Sequence, residues 1–193
     1  TKERLTSAQI KHDCFYYLDI EGKKVMASRI HAGNEHQRQT KHLAEYFHKS
    51  HDYHTTISYD MKMVWDLRKR FPQATPSTAD IHLLNDCPFV ERNLNQFKSY
   101  EEAYHQFMLD LVAQEVAAIK QIQGYASPRK LIVEGEFSDN ELFMRMLAEA
   151  FFDKHVYASQ HKNLSALGAA IVIADNWNTN NIKNFSIKLK RYE

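Results

Sequence analysis

The order of short β-prone runs and amphipathic segments after residue 129 places the strongest constraint on the fold. The runs Lys130–Val133 and His155–Ala158 are short and rich in apolar or β-branched residues. Each run is followed by a segment of helical periodicity, the first ending near Phe152 and the second spanning about 163–174. Strand, helix, strand, helix at this spacing predicts an α/β layer with parallel strands.

Helix-start signals precede two of the amphipathic segments. Ser99 and Glu102 have the spacing of a capping box, and the residues that follow keep one face apolar until Gly124, where the helix is predicted to end. Ser138 and Glu141 have the same spacing, and they predict the start of the helix after the first strand. The helix from Ser99 is the clearest single element that the sequence predicts.

The first hundred residues predict a hairpin, two helices and a long connection. Two β-rich runs within Phe15–Ala32 flank Gly22, which can adopt the positive φ of a tight turn. Glu35–Phe47 and Tyr59–Phe71 place apolar residues at helical spacing. Prolines and small polar residues break any period within Pro72–Phe97, which predicts an irregular connection.

Composition and charge exclude several classes of function. With 25 basic and 24 acidic residues the formal net charge is +1, so no broad field exists to collect nucleic acid or anionic lipid. A length of 193 residues suits a single domain spanning 1–193. No run approaches the roughly 18 apolar residues of a membrane span, so we expect a cytoplasmic protein. Cys14 and Cys87 are expected to be unpaired thiols.

The stretch LIVEGEFSDN at 131–140 is the best candidate for a ligand site. It runs from a strand through Gly135 into a helix, and ligands of α/β sheets collect where strands end and helix N-termini point inward. The alternative is a tight turn whose dihedral angles require glycine. Leu167–Ala170 also carries small residues, which permit close approach of a ligand but inside helices mostly serve packing.

Other chemistries lack a complete signature in the sequence. Among eleven histidines, His48, His51 and His54 recur at three-residue intervals, but no cysteine or acidic cluster completes a zinc signature, so no metal site is predicted. The five glycines stand too far apart for a P-loop or a Rossmann fingerprint.

Several stretches together resemble a known family. GEFSDNELFMRMLAEAFFDKHVY, followed by ALGAA at 166–170, resembles the ATP-side signature of FGGY carbohydrate kinases. SRIHAGNEHQRQ and SYEEAYHQFMLDLV resemble the rhamnulokinase and fuculokinase-like branch of that family. The resemblance extends from about Cys14 to Trp177 and identifies the chain as the C-terminal domain of such a kinase.

The resemblance implies the fold and the nucleotide contacts. It implies an α/β domain of the actin-like ATPase, ribonuclease H-like type, with a mixed sheet flanked by helices and its first strand or strands missing. It also implies nucleotide binding by Gly135, Glu136 and Asn140. Glu136 stands where the family has a second glycine, and its carboxylate adds bulk and negative charge beside a polyanion. Asn163 stands where the family often has glutamate before ALGAA.

The resemblance also implies what this chain does not carry. The catalytic base, the phosphate loops and most of the sugar site belong to other parts of the family's proteins, so no catalytic residue is expected in this chain and the chain alone should be inactive. ATP and Mg²⁺ would act in the full-length parent, with the sugar bound through an N-terminal domain. The hairpin would leave a sheet edge that favours a homo-oligomer. The alternative is a non-catalytic binding or regulatory module.

Overall fold

A computed structural model describes residues 4–71, 87–123, 128–161, 163–174 and 187–193. The chain divides into two compact units, unit 1 formed by Thr1–Leu18 with Lys24–Ser127, and unit 2 formed by Asp19–Lys23 with Pro128–Glu193. Each unit is described separately below. That residues 1–193 form one domain stays a prediction.

Unit 1 begins with a short capped helix and the predicted hairpin. Helix α1 (Ser7–Lys11) is capped by the Thr6 side chain. Strands β1 (Cys14–Leu18) and β2 (Lys24–Ser28) pair antiparallel. Gly22 has a φ of +76° in the turn, so the predicted hairpin and its glycine are confirmed.

Three longer α-helices follow in the described residues of unit 1. Helices α2 (Ala32–Tyr46) and α3 (Met61–Arg70) both pack against the long helix α4 (Tyr100–Ile122), as does strand β2. The three helices that apolar periodicity predicted in this region are therefore confirmed. Within the predicted connection, Pro88–Glu91 and Leu94–Gln96 form short 3₁₀ turns, whereas 72–86 and the predicted helix end at Gly124 lie outside the described residues.

Helix α4 forms the core of unit 1. Every residue from Ala103 to Gln114 is buried, not just the apolar face that the sequence predicted. A helix buried all round needs neighbours on every side, and α2, α3 and β2 provide them. Ser99 caps α4 by accepting a hydrogen bond from the Glu102 N–H over 3.3 Å, while the Glu102 carboxylate bonds the Lys98 N–H. Only half of the predicted capping box therefore forms.

Two buried polar side chains of α4, those of His105 and Asp110, bond to distant parts of unit 1. His105 Nδ1 donates to the Glu101 carbonyl oxygen over 2.7 Å, because its Nε2 accepts from the Asp60 N–H over 3.1 Å and must be unprotonated. Asp110 binds Arg92 in a buried ion pair. These contacts hold the residues before α3, and also the segment around Arg92, against the long helix.

Unit 2 contains a three-stranded mixed sheet. Strand β3 (Lys130–Val133) pairs parallel with β4 (His155–Ser159), and β4 pairs antiparallel with β5 (Leu189–Tyr192), in the order β3-β4-β5. The parallel pair confirms the predicted α/β layer, and β5 was not predicted.

Two helices accompany this sheet. Helix α5 (Glu141–Ala150) links β3 to β4 and buries six residues. Those residues are Leu142, Phe143, Met144, Met146, Leu147 and Ala148. Helix α6 (Leu164–Val172) follows β4. Among the helices in the described ranges, none is long and apolar enough to cross a membrane.

Candidate functional site

The turn between β3 and α5 lies at the carboxyl edge of the parallel strands. Val133 is opposite Ala158 in the parallel ladder, so β3 and β4 end at the same edge of the sheet. The chain leaves both strands from that edge and enters α5 and α6. Open α/β sheets bind ligands in this position, outside the carboxyl ends of their strands.

Gly135 adopts a conformation that only glycine tolerates. Its φ of +79° and ψ of −157° fall in a region that is closed to residues with a Cβ. A Cβ built on Gly135 would meet no atom within 4 Å, so steric crowding is not the reason for glycine at this position. The Gly135 carbonyl oxygen accepts hydrogen bonds from the Ser138 hydroxyl at 2.7 Å and the Ser138 N–H at 3.1 Å. The dihedral angles of the turn therefore require glycine here.

Asn140 caps helix α5. Its Oδ1 accepts a hydrogen bond from the Phe143 N–H over 3.0 Å, and its backbone is extended, as an N-cap residue requires. The predicted capping box of Ser138 and Glu141 is wrong, because Ser138 instead bonds back to Gly135. Asparagine is among the best N-cap residues, so Asn140 followed by an apolar helix was a signal that the sequence analysis missed.

Glu136 begins the 3₁₀ turn Glu136–Asp139 and is exposed to solvent. In the described part of the chain its carboxylate has no hydrogen-bond or ion-pair partner. Gly135, Glu136 and Asn140 thus lie together in one short turn. Their contact with a nucleotide stays a prediction.

Helix α6 contains the small residues Leu167–Ala170, and none of its residues is buried. The interpretation of these residues as ordinary helix packing therefore gains no support from burial. Asn163 precedes the helix in the left-handed conformation, with a φ of +75°, and its side chain makes no capping hydrogen bond.

Gly135 and Gly168 provide a matched pair of substitutions. Gly135→Ala is expected to cost about 1–3 kcal/mol in unfolding free energy, because alanine is strained at this φ and ψ. Gly168→Ala lies in α6 with nothing within 4 Å of the new Cβ, and it should stabilise by about 0.4–1 kcal/mol. Urea denaturation of both variants measures the difference. Equal effects of the two substitutions would contradict the strained turn.

Unit 1 contains a histidine and tyrosine cluster that the sequence analysis did not single out. His36 Nε2 lies 3.0 Å from Tyr104 Oη, and the His36 ring packs edge-on to His54 at 5.3 Å between centroids. Burial, and secondarily the nearby His54, lowers the pKa of His36 to about 4. His36 is therefore neutral at physiological pH, as a packing residue of the core would be.

The described residues give no support for a metal-ion site or for a reactive thiol. No group of three or more histidine, cysteine or carboxylate side chains stands close enough to hold a metal ion among them. Cys14 and Cys87 are buried free thiols, which confirms the expectation of unpaired cysteines. Burial raises the pKa of Cys87 to about 12, so this thiol is not a nucleophile at neutral pH.

Comparison with known families assigns the chain to one class of protein. The family profile described as carbohydrate kinase FGGY, C-terminal domain, matches residues 2–181. The chain belongs to the FGGY carbohydrate kinase family, and it corresponds to the C-terminal domain of those kinases. This family implies an actin-like ATPase fold, with which the mixed sheet and its helices agree. Searches of curated proteins and of solved structures each found no significant match.

Proposed function

We propose that this chain is the nucleotide-side half of an ATP-dependent kinase that phosphorylates a hydroxyl of a ketose or related sugar. The match to the C-terminal kinase domain over residues 2–181 is the observation that carries the proposal. The rhamnulokinase and fuculokinase-like branch, the cytoplasmic location, the single domain and a homo-oligomeric state are parts of the same proposal. The sugar would reach the active site through an N-terminal domain.

The turn at the carboxyl edge of the sheet is the part of the site that this chain would contribute. The Gly135 turn exposes backbone without a Cβ at the carboxyl edge, where a flat base or ribose could approach it. Glu136 and Asn140 would lie beside the adenosine. The Asn140 Oδ1 caps α5, so this residue would hold the start of the helix beside the ligand.

Bound ATP would supply the γ-phosphoryl group, with Mg²⁺ neutralising its charge. Among the described residues no three potential metal ligands stand together, and the proposal assigns no Mg²⁺ ligand to this chain. Within the kinase, this half would bind the nucleoside and exclude water as the two halves close. The proposal assigns no proton transfer to a residue of this chain.

A second function is favoured by one observation: the exposed carboxylate of Glu136 in the turn has no ion-pair partner among the described residues. A negative side chain where the family has glycine would weaken the binding of a polyanion. The chain would then be a non-catalytic binding or regulatory module that retains the kinase fold.

Turnover assays distinguish the two proposals. The parent protein, incubated with MgATP and a panel of ketoses, is expected to release ADP only when a suitable sugar is present. The 193-residue chain alone should release none, because positioning of the γ-phosphate, metal and nucleophile together is required. Sugar-dependent ADP release by the isolated chain would contradict the assignment of catalysis to the rest of the parent. A parent that is inactive with every sugar would favour the regulatory module.

A further inference from the structure

A small cavity lies in unit 1 beside the start of helix α3. Its volume is about 200 Å³, which leaves room for roughly six water molecules or one small organic molecule. The 3₁₀ turn Tyr53–Thr56 with the residues after it, the start of α3 and the start of α4 form its walls. The polar side chains that line it are those of Tyr53, Thr56, Ser58, Asp60, Glu101 and His105.

Most of these polar side chains donate their protons to other protein groups. The Tyr53 hydroxyl donates to the Glu101 carboxylate, and the Thr56 hydroxyl donates to the Tyr53 carbonyl oxygen over 2.8 Å. The single ring proton of His105 goes to the Glu101 carbonyl oxygen over 2.7 Å. Ionised carboxylates can only accept hydrogen bonds. The cavity therefore offers mainly acceptor atoms, and a ligand that fits it must supply the donors.

The walls of this cavity are negatively charged. Burial acts to raise the pKa of Glu101, but hydrogen bonds, chiefly from the Tyr53 hydroxyl, and the nearby Lys49 outweigh it and hold this pKa below its ordinary value. The Lys49 Nζ lies over the Tyr53 ring, 4.8 Å from its centre, and not in the cavity wall. Asp60 adds a second carboxylate. The described walls contain no lysine or arginine to offset these two charges.

A neighbouring cavity shows that this charge is a local property. It has a volume of about 290 Å³ and shares Asp60 and Met63 with the first cavity. Its walls also contain Lys62 and Lys98, so its carboxylates have cations within the same cavity. The cavity beside Tyr53 differs because its acceptors and carboxylates stand without such cations.

We propose that the cavity beside Tyr53 binds a small organic ammonium ion, a primary amine on a short carbon chain. The ammonium group would supply N–H donors to the acceptor atoms and a positive charge to Asp60 and Glu101. Ile57 and Met63 would contact the carbon chain, because they provide the apolar part of the wall. Bound there, the amine would link the 3₁₀ turn to α3 and α4. This site lies in unit 1 and does not depend on the proposed nucleotide site.

Nuclear magnetic resonance titrations of the 193-residue chain test the proposal with two probes of nearly identical size. Ethanolamine is an ammonium ion at pH 7, and ethylene glycol carries a neutral hydroxyl in place of the ammonium group. Ethanolamine should bind with a dissociation constant of about 1–10 mM, within reach of so small a ligand. Ethylene glycol should bind at least about tenfold more weakly. Amide shifts should centre on Tyr53–Met63 and Glu101–His105, and high salt should weaken ethanolamine binding.

Two variants remove the charges while they preserve the local hydrogen bonds. Asparagine in Asp60→Asn can still cap α3, and glutamine in Glu101→Gln can still accept from Tyr53. Each should weaken ethanolamine binding about three- to tenfold, the usual effect of removing one partly exposed charge. Asp66→Asn is the matched control, because Asp66 lines the neighbouring cavity and not this one. It should leave the affinity within about twofold of the wild type.

Several results would overturn the proposal. These are equal binding of ethanolamine and ethylene glycol, wild-type affinity in both Asp60→Asn and Glu101→Gln, shifts centred outside the cavity, and no saturable binding below about 100 mM ethanolamine. None of them bears on the nucleotide site proposed at Gly135, so failure of the two proposals can be told apart.

Discussion

Replacing Arg92 with alanine is expected to lower the free energy of unfolding by about 3–5 kcal/mol at neutral pH, the usual result of leaving a buried charge without its partner. Asp110 is fully buried. The Arg92 Nη2 donates to its Oδ1 over 2.8 Å, and the Arg92 Nε donates to Oδ2. Gln106 Nε2 contributes a further hydrogen bond of 2.9 Å to Oδ1. Without Arg92, a neutral amide would be the remaining partner of this carboxylate.

The loss of unfolding free energy in Arg92→Ala should depend on pH in a defined direction. Burial raises the pKa of Asp110, although Arg92 and Gln106 act to lower it. Removing Arg92 removes the largest opposing contribution, so the pKa in the folded variant rises further. Protonation then relieves the buried charge, and the variant regains stability as pH falls below that raised pKa. The difference between wild type and variant should therefore be smaller at pH 5 than at pH 7.5.

Urea denaturation followed by circular dichroism at both pH values measures this difference. Arg38→Ala is the matched control, because Arg38 pairs with Glu35 at 2.6 Å on the surface and should contribute about 1 kcal/mol or less. A deficit for Arg92→Ala that is no larger than that of the control, or that grows as pH falls, would contradict this account of the ion pair.

Local patterns in the sequence predicted most of the elements. The hairpin followed from two β-rich runs around Gly22, whose positive φ the structure confirms. The helices followed from apolar periodicity, and the parallel pair of strands followed from the alternation of strand and helix. Each of these features depends on residues that are close together in the chain, so one sequence contains the necessary information.

Features that depend on distant partners could not be predicted in this way. The buried polar residues of α4, such as His105 and Asp110, look solvent-exposed by periodicity, and their partners Asp60 and Arg92 are distant in the chain. Strand β5 is mainly polar, and it exists because its backbone pairs with β4. Pairing between distant segments leaves no periodic signal in a single sequence.

The turn through Gly135 was predicted in position but not in its hydrogen bonds, and its contact with a ligand stays a prediction. The turn through Gly135 was located correctly because a strand, a glycine and a helix start follow one another. The sequence analysis assigned the helix cap to Ser138 instead of Asn140. The hydrogen bond that Ser138 donates to the Gly135 carbonyl oxygen depends on the conformation of the turn, which the sequence did not indicate.

Phe143→Ala is expected to destabilise unit 2 by about 3–5 kcal/mol, the usual cost of truncating a buried phenylalanine. Phe143 is 3% exposed, and its ring packs on that of Phe137 with 4.6 Å between centroids and 31° between planes. Phe137 belongs to the 3₁₀ turn that contains Glu136. The Phe143 N–H is also the group that Asn140 caps. One side chain thus ties the helix start to the turn.

Loss of this contact should affect the turn before it affects the rest of the sheet. Hydrogen exchange of peptides covering 134–143 should accelerate more in Phe143→Ala than exchange in β4, and adenosine binding should weaken. Phe143→Leu is the control: it retains most of the volume and should cost about 1.5 kcal/mol or less. If the alanine variant exchanges uniformly faster across unit 2, Phe143 stabilises the unit as a whole. If exchange is faster only in the turn, the aromatic pair holds the geometry that a nucleoside would meet.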